Sequence, residues 1–513
     1  MIVLGNGQLT PDDFEAIVVG KEKIELDGKA LASVKKNFEF LKDFSKDKII
    51  YGINTGLGPM AQRRIEEEDR LALQYNLIRS HCSGSGEPLS HDFARAIVLA
   101  RLNSLLLAKS GIHESVLTLL RDLLNHDICP VIYQHGGVGA SGDLVQLAHL
   151  ALCLIGEGEV TQAGKVFEAK ELFQKHGLKP ITICLREGLA VMNGTSAMTG
   201  IGMINLLQSY KLLYWSLMAS CIINELVESY DDHFSQVLNE AKLHHGQRAI
   251  AEQMRAILES SGLIRKRENH LYKKTEEKVF KTKVQEYYSI RCVPQVLGPI
   301  YDTIEYANTV LVNELNSAND NPVIDDDTQN VYHGGNFHGD YIALEMDKLR
   351  IALTKLAMLA ERQLNFLLND KLNEKLPPFL NLGKLGLNFG MQGIQFTATS
   401  NVAESQALAT SVYIHSIPNN NDNQDIVSMG TNAALLTHKV IENAFEVLAI
   451  ELLAILQAVD YLTIQKKMSK ETASVYNVLR AIAPKFIEDS TKYQTLRELK
   501  KYLKDGEALT KKV

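Results

Sequence analysis

The six cysteines, Cys82, Cys129, Cys153, Cys184, Cys221 and Cys292, include no C-x-x-C pair and no finger-like spacing with histidine. That removes a zinc finger from consideration and leaves reduced thiols in a cytosol as the expectation. Positive charge is not in surplus either. With a net charge of −7 and a pI near 6.1, the surface repels nucleic-acid phosphates and anionic membranes, so a small molecule is the expected partner. A long uninterrupted apolar run is also missing: the most apolar stretch, Phe445 to Leu462, is broken by Glu446, Glu451 and Asp460, which suits a buried bundle helix and not a membrane span. Met1-Ile-Val-Leu-Gly-Asn lacks the basic and then apolar run of a signal peptide, so a cytoplasmic location is expected. No internal repeat or low-complexity tract is present. What remains is a globular chain of 513 residues, 45% apolar and 22% charged, long enough for several domains around a large core.

Proline is absent from two long tracts, Ile342 to Leu376 and Asn419 to Ala483, and apolar residues recur there at helical steps. The same steps predict helices over Leu71 to Ile78, Ala94 to Lys109, Glu114 to Leu124 and Leu144 to Ile155. The expected fold is mainly α, a bundle of long antiparallel helices following a smaller mixed N-terminal domain, with domains at 1–205 and 206–513. Asn432 to Leu462 is apolar around most of its circumference, which predicts cover from sister subunits as well as from its own neighbours. Strands are expected only as short trim at Lys48 to Tyr51, Pro130 to Tyr133, Glu159-Val-Thr with Gly164-Lys-Val-Phe, and Asn330 to His333. The charge-rich stretch 264–287 reads as an exposed crossing segment.

Residues 135–143 read His-Gly-Gly-Val-Gly-Ala-Ser-Gly-Asp, and Ala140-Ser141-Gly142 within them can turn its own backbone into an electrophile. Glycine lacks a Cβ, so the Gly142 amide nitrogen can be pressed against the Ala140 carbonyl carbon. Ring closure with loss of water, and loss of a second water from the Ser141 side chain, leaves an imidazolone with an exocyclic methylene that accepts electrons from an amine. Gly137 to Gly142 also fits the G-x-G-x-x-G spacing of a dinucleotide turn. That reading lacks its wider context, since Glu157 and Glu159 arrive before any second strand. An ordinary glycine loop, with Asp143 capping the helix that follows, is compatible with either reading.

Other segments gather polar groups at breaks in helix. Tyr51-Gly-Ile-Asn-Thr-Gly-Leu-Gly-Pro59 holds an aromatic hydroxyl in a loop stiffened by three glycines and a proline, where Tyr51 is either a base or a structural residue. Tyr288 and Arg291 lie three apart, on one face if helical, and the Arg291 fork suits either a carboxylate clamp or an inter-subunit salt bridge. Asn193-Gly-Thr, Asn316 to Pro322 and His333 to Asp340 each concentrate amides, which donate and accept without titrating. His333, His338 and Asp340 match no common zinc spacing, so no metal is expected. Ser416 to Met429 carries more amides and carboxylates than one helix cap needs.

Together these segments resemble the aromatic amino acid ammonia-lyase family over nearly the whole chain. The most specific pieces are Gly137-Val-Gly-Ala-Ser-Gly-Asp143, Tyr51-Gly-Ile-Asn-Thr-Gly, Asn193-Gly-Thr, Tyr288-Ser-Ile-Arg291, Gly335-Asn-Phe-His338 and Asn423-Gln-Asp425. One departure is Leu57, where many relatives have phenylalanine. The resemblance implies a fumarase/aspartase-like helical architecture and a homotetramer with shared sites. It further implies a 4-methylideneimidazol-5-one (MIO) group made from Ala140, Ser141 and Gly142, with no external cofactor. It makes Tyr51 the base and Arg291 the binder of an amino acid's carboxylate. Asn193 and Tyr288 support the ring and the amino group, Phe337 lies beside the ring, and Asn423 and Gln424 belong to the substrate pocket. Ser80-His81 looks like the pair of histidine ammonia-lyases, yet Gln424 stands where those enzymes carry a glutamate. The run around Gln424 resembles bacterial tyrosine ammonia-lyases that keep Ser-His. The implied reaction is elimination of ammonia from L-tyrosine to give p-coumarate, with phenylalanine slower; histidine to urocanate, or an aminomutase, is the alternative. A silent helical assembly protein or a nucleotide-dependent oxidoreductase would leave Ser141 unmodified.

Overall fold

The computed structural model describes residues 1–506. Its described residues form twenty α-helices, and the strands are confined to four separate sheets of two or three short strands. The mainly helical expectation holds, and the predicted helices appear as Arg70–His81, His91–Leu106, Glu114–Asn125 and Leu144–Leu154. The proline-free tracts give Asp340–Leu368 in the first, and Gly430–Leu462 with Lys470–Ile482 in the second. The second tract does not turn helical at Asn419, because Asn420, Asn421 and Asp422 all take positive φ, a conformation their short polar side chains tolerate and a helix does not use.

The dinucleotide reading of the glycine loop is overturned. Among the described residues the only parallel strand pair is Ile2–Leu4 with Ile24–Leu26, and neither strand adjoins the glycine loop. The Pro130 to Tyr133 strand is split into Cys129–Pro130 and Tyr133–His135, which pair with different partners. The strand expected at Lys48 to Tyr51 does not form. Asn54 takes its backbone groups instead, accepting from Ile50 N at 2.9 Å and donating to Lys48 O at 2.7 Å. The strands at Glu159–Gln162, Lys165–Glu168 and Asn330–Tyr332 are present.

Contacts divide the chain into two compact units. The first takes Met1–Leu207, Ala307–Asp347 and Ser411–Leu436; the second takes Gln208–Tyr306, Lys348–Thr410 and the chain from Thr437. In the first unit, Ile50 and Ile53 are buried with Leu41, Ile324 and Val331, so the two residues that flank Tyr51-Gly52 are anchored in apolar surroundings. Arg70–His81, Leu144–Leu154 and Glu187–Met192 pack on one another, and Gly188 lets the first and last approach: a Cβ there would lie 2.9 Å from Gln74 O. In the second unit, Trp215 Nε1 donates to Leu503 O at 3.0 Å, and Gln363 Nε2 donates to Ser289 O at 2.7 Å, tying down the segment that carries Tyr288 and Arg291. Every residue from Val447 to Val459 is buried within the single chain. Their own chain therefore covers that stretch. Most of 264–287 is exposed, with one short helix at Arg267–His270.

Candidate active site

The glycine loop is pressed against Gly194 through a contact that only glycine allows. Gly142 has φ +67°, pairs in parallel with Gly194, and a Cβ on it would lie 2.0 Å from Gly194 O. The same carbonyl accepts from Asp143 N at 2.8 Å. Ala140 is buried and Ser141 half-buried. Ser141 is approached from two distant segments: Asn193 Nδ2 donates to its backbone O at 3.4 Å, and Gln424 Nε2 donates to its Oγ at 2.8 Å. Gly139 O, one residue before Ala140, accepts from Gly339 N, Ser428 Oγ and His338 Nδ1, each at 3.1 Å. A carbonyl only accepts, so His338 carries its proton on Nδ1 and serves as a loop tether. Among the described residues no group of three His, Cys, Asp or Glu is placed to hold a metal.

Asp143 stands at the start of Leu144–Leu154 but does not cap it with its side chain, which corrects the simple cap reading. Its fully buried carboxylate instead accepts from Ala197 N at 2.8 Å and Met198 N at 2.9 Å, the first amides of the Ser196–Leu226 helix, and from Thr431 Oγ1 at 2.6 Å at the start of Gly430–Leu462. One carboxylate thus joins the loop to two helix N-termini, whose positive ends favour it. Burial nevertheless wins over these donors and pushes the Asp143 carboxyl up to about 6.

Tyr51 is half-buried, with its phenol oxygen accepting from Gly58 N at 3.1 Å. That N–H is a donor that a phenolate would keep. Its backbone N donates to His333 Nε2 at 3.4 Å. Gln74 locks the loop to the site, donating to Gly52 O and accepting from Leu189 N, each at 3.0 Å. The loop also meets the amide-rich segment: Asn419 and Gln424 pair across a tight reversal, and a Cβ on Gly58 would lie 2.9 Å from Asn420 Nδ2. Asn423 closes that reversal through its backbone N to Asn420 O at 3.2 Å, with its side chain exposed.

Ser80 and His81 end the Arg70–His81 helix. His81 Nδ1 lies 2.9 Å from Leu77 O and 3.0 Å from Ser80 Oγ, while Ser80 Oγ donates to Leu77 O at 3.1 Å. The carbonyl assigns the proton to Nδ1, which leaves Nε2 as an acceptor. Phe337 is half-buried in a turn closed by His338 N to Gly335 O at 2.9 Å.

Tyr288 and Arg291 belong to the second unit, on the short helix Tyr288–Arg291. The Arg291 guanidinium lies 4.7 Å from the Tyr288 ring centroid, so the three-residue spacing does put both on one face. Arg291 Nε is buried without a hydrogen-bond partner, and Tyr288 is 71% exposed. The structure therefore gathers Tyr51, Ser80, His81, Ala140, Ser141, Gly142, Asn193, Phe337, Asn423 and Gln424 within the first unit and sets Tyr288 and Arg291 in the second. The sequence reading missed Gln74 and Arg101, which tie these pieces from behind. The one signal they carry is an uncharged amide and a cation on faces where apolar residues were expected, as in Ala96-Ile97-Val98-Leu99-Ala100-Arg101.

The description "aromatic amino acid lyase" fits the family whose sequence profile matches residues 9–481. The chain is 40% identical over 488 residues to a tyrosine 2,3-aminomutase of Myxococcus sp. (strain Mx-B0), covering 93% of this chain and 92% of that one. It is 38% identical over 505 residues to a histidine ammonia-lyase of Bacillus subtilis (strain 168), covering 98% and 96%. The tyrosine aminomutase structure from Streptomyces globisporus superposes with a TM-score of 0.93 at 34% identity, covering 98% and 96%. With the glycine loop, its tethers and this agreement along the whole length, the chain belongs to the aromatic amino acid lyase family.

Proposed function

We propose that this chain eliminates ammonia from L-tyrosine to give p-coumarate, using an MIO group condensed from Ala140, Ser141 and Gly142. The residues present fit that group: a Cβ on Gly142 would fill the space taken by Gly194 O, and Asn193 Nδ2 already reaches the Ser141 carbonyl that becomes part of the ring. The group supplies an electrophilic carbon that makes ammonia a better leaving group from an amino acid whose β-proton is barely acidic. Tyr51 is the base that takes the β-proton, with Gly58 N holding its oxygen. Arg291 binds the substrate carboxylate through its planar fork, and its unpartnered Nε supports that role. Tyr288 stands beside it to hold the amino group. Asn193 steadies the ring carbonyl, Phe337 shields its face, and Asn423 holds the turn that presents Gln424.

The choice of tyrosine rests on His81. Its Nδ1 is engaged by Leu77 O, which leaves Nε2 as an acceptor able to take the hydrogen bond of a phenolic hydroxyl. Gln424 supports the same choice, being a neutral amide where a charged partner would suit an imidazole. Exposed Phe389, Phe396, Ile414 and Ile417 support cover by sister subunits, as in the proposed homotetramer, since side chains of this size are costly to leave in water.

A second reading is tyrosine 2,3-aminomutation, favoured by the similarity to the Myxococcus enzyme. It would return ammonia to the β-carbon. Purified protein incubated with L-tyrosine, followed by ultraviolet absorbance and by chromatography of amino acids, separates the two. Accumulating p-coumarate is the expected result, and β-tyrosine in its place supports the mutase. Turnover of histidine to urocanate without turnover of tyrosine overturns the tyrosine assignment.

A further inference from the structure

Behind Asn193 lies a buried polar cluster that none of the assigned roles uses. Arg101, fully buried on His91–Leu106, donates from Nη2 to Asn193 O at 2.9 Å and to Ala190 O, and from Nη1 to Asn319 Oδ1 at 3.0 Å. Asn319 Nδ2 donates to Thr195 Oγ1 at 2.8 Å, and Thr195 donates to the Glu314 carboxylate. Asn193 Oδ1 accepts from Asn321 N at 2.9 Å. Gly194 is enclosed by this cluster: a Cβ on it would lie 2.3 Å from Arg101 Nη1 and 2.6 Å from Asn319 Oδ1. The carbonyl of the same Gly194 is the surface against which Gly142 is pressed, 2.0 Å from where a Gly142 Cβ would stand.

Arg101 makes its hydrogen bonds to neutral groups, while the nearby Asp320 carboxylate is paired with Arg186 at 2.9 Å. A buried guanidinium without its own carboxylate is expensive, so an arginine here is retained for its geometry. Its fork is the one side chain that grips two carbonyls and an amide oxygen at fixed angles.

We propose that Arg101 is a positioning residue for ring closure, holding the Asn193-Gly194 backbone rigid so that Gly142 N stays against Ala140 C. This rests on the proposed MIO chemistry. The bond formed joins Gly142 N to Ala140 C, and the Gly142 N–H proton passes to the carbonyl oxygen. That oxygen leaves as water with the Ser141 N–H proton, and Ser141 Oγ leaves with the Cα proton as a second water, with no net oxidation. A rigid wall matters because an error of about 1 Å in such contacts costs on the order of a hundredfold in rate.

The test weighs the peptide containing Ala140 to Gly142 from purified wild type, Arg101→Met and Arg101→Lys, beside thermal unfolding and size-exclusion profiles. Wild type is expected to have lost two waters. Folded Arg101→Met is expected to mature at least about tenfold more slowly, with Arg101→Lys between the two. Should Arg101→Met fail to fold, Arg101→Lys and Thr195→Val decide, each expected to retain a fraction of intact Ser141. Full dehydration at the wild-type rate in the folded variants, with only a lower unfolding temperature, overturns the role of Arg101 and leaves the proposed function standing. An intact Ser141 in active wild type overturns the proposed function, and this role with it.

Discussion

Gln424 Nε2 donates to Ser141 Oγ at 2.8 Å across 283 positions of sequence. An amide can donate there and an ionised carboxylate cannot. Ser141 Oγ leaves when the proposed ring forms, which frees the Gln424 amide for the substrate, so Gln424→Glu is expected to favour a basic imidazole over a phenol. Steady-state kinetics should show kcat/KM for tyrosine falling by about tenfold or more while the histidine-to-tyrosine ratio rises. An unchanged ratio would remove Gln424 from substrate choice.

His81→Leu removes the Nε2 acceptor while leaving an apolar side chain at the end of Arg70–His81. A substrate hydroxyl facing that residue would then lack its partner. Tyrosine turnover should fall and phenylalanine turnover should hold or rise, shifting the tyrosine-to-phenylalanine ratio by about a hundredfold. Competition assays with the two amino acids read this directly.

Asp143 offers a pH test with a defined sign. Its carboxyl is raised from an ordinary 3.8 to about 6 by burial, so between those values the folded protein holds a proton that the unfolded chain has lost. Stability from this group is present in full below about 3.8 and is lost as pH rises to about 6. The window corresponds to roughly 3 kcal/mol at most. Asp143→Asn can still accept from Ala197 N and Met198 N through Oδ1 and donate to Thr431 through Nδ2. Its unfolding free energy, measured by denaturant titration from pH 4 to 7, should decline less steeply than that of wild type by about that amount.

Glu451 is fully buried with both carboxylate oxygens unpartnered, and burial raises its carboxyl well above the usual range. In the folded chain it holds its proton to higher pH than in the unfolded chain, so its contribution becomes less favourable as pH rises above 4.5. Glu451→Met, similar in volume and free of polar atoms, should stabilise the protein by about 1–3 kcal/mol at pH 7 and by less at pH 4. Thermal unfolding at the two pH values checks both the sign and the trend.

The helices were legible because their causes are local. Apolar spacing over Leu71 to Ile78 and Glu114 to Leu124 acts within a few turns, and the structure moves the ends by only a few residues. The Ala140-Ser141-Gly142 motif was legible for the same reason, since the chemistry proposed for it needs only neighbouring atoms and a glycine without a Cβ. The misread strand at Lys48 to Tyr51 shows where local reading fails: a β-branched pair was outbid by the Asn54 side chain, which captures the same backbone groups.

From sequence alone came the family's motifs, the helical class and the chemistry proposed for one loop, because periodicity and covalent adjacency are properties of the chain itself. Only the tertiary structure decided that Asp143 caps a helix 54 positions away, that Gln424 meets Ser141, and that Arg101 stands behind Asn193. A single domain cut near residue 205 likewise gave no sign that each compact unit draws on three separate stretches of chain. The physical reason is common to all of these: buried polar groups must find partners, and which partners come within 3 Å depends on how distant segments pack, which no local pattern of residues records.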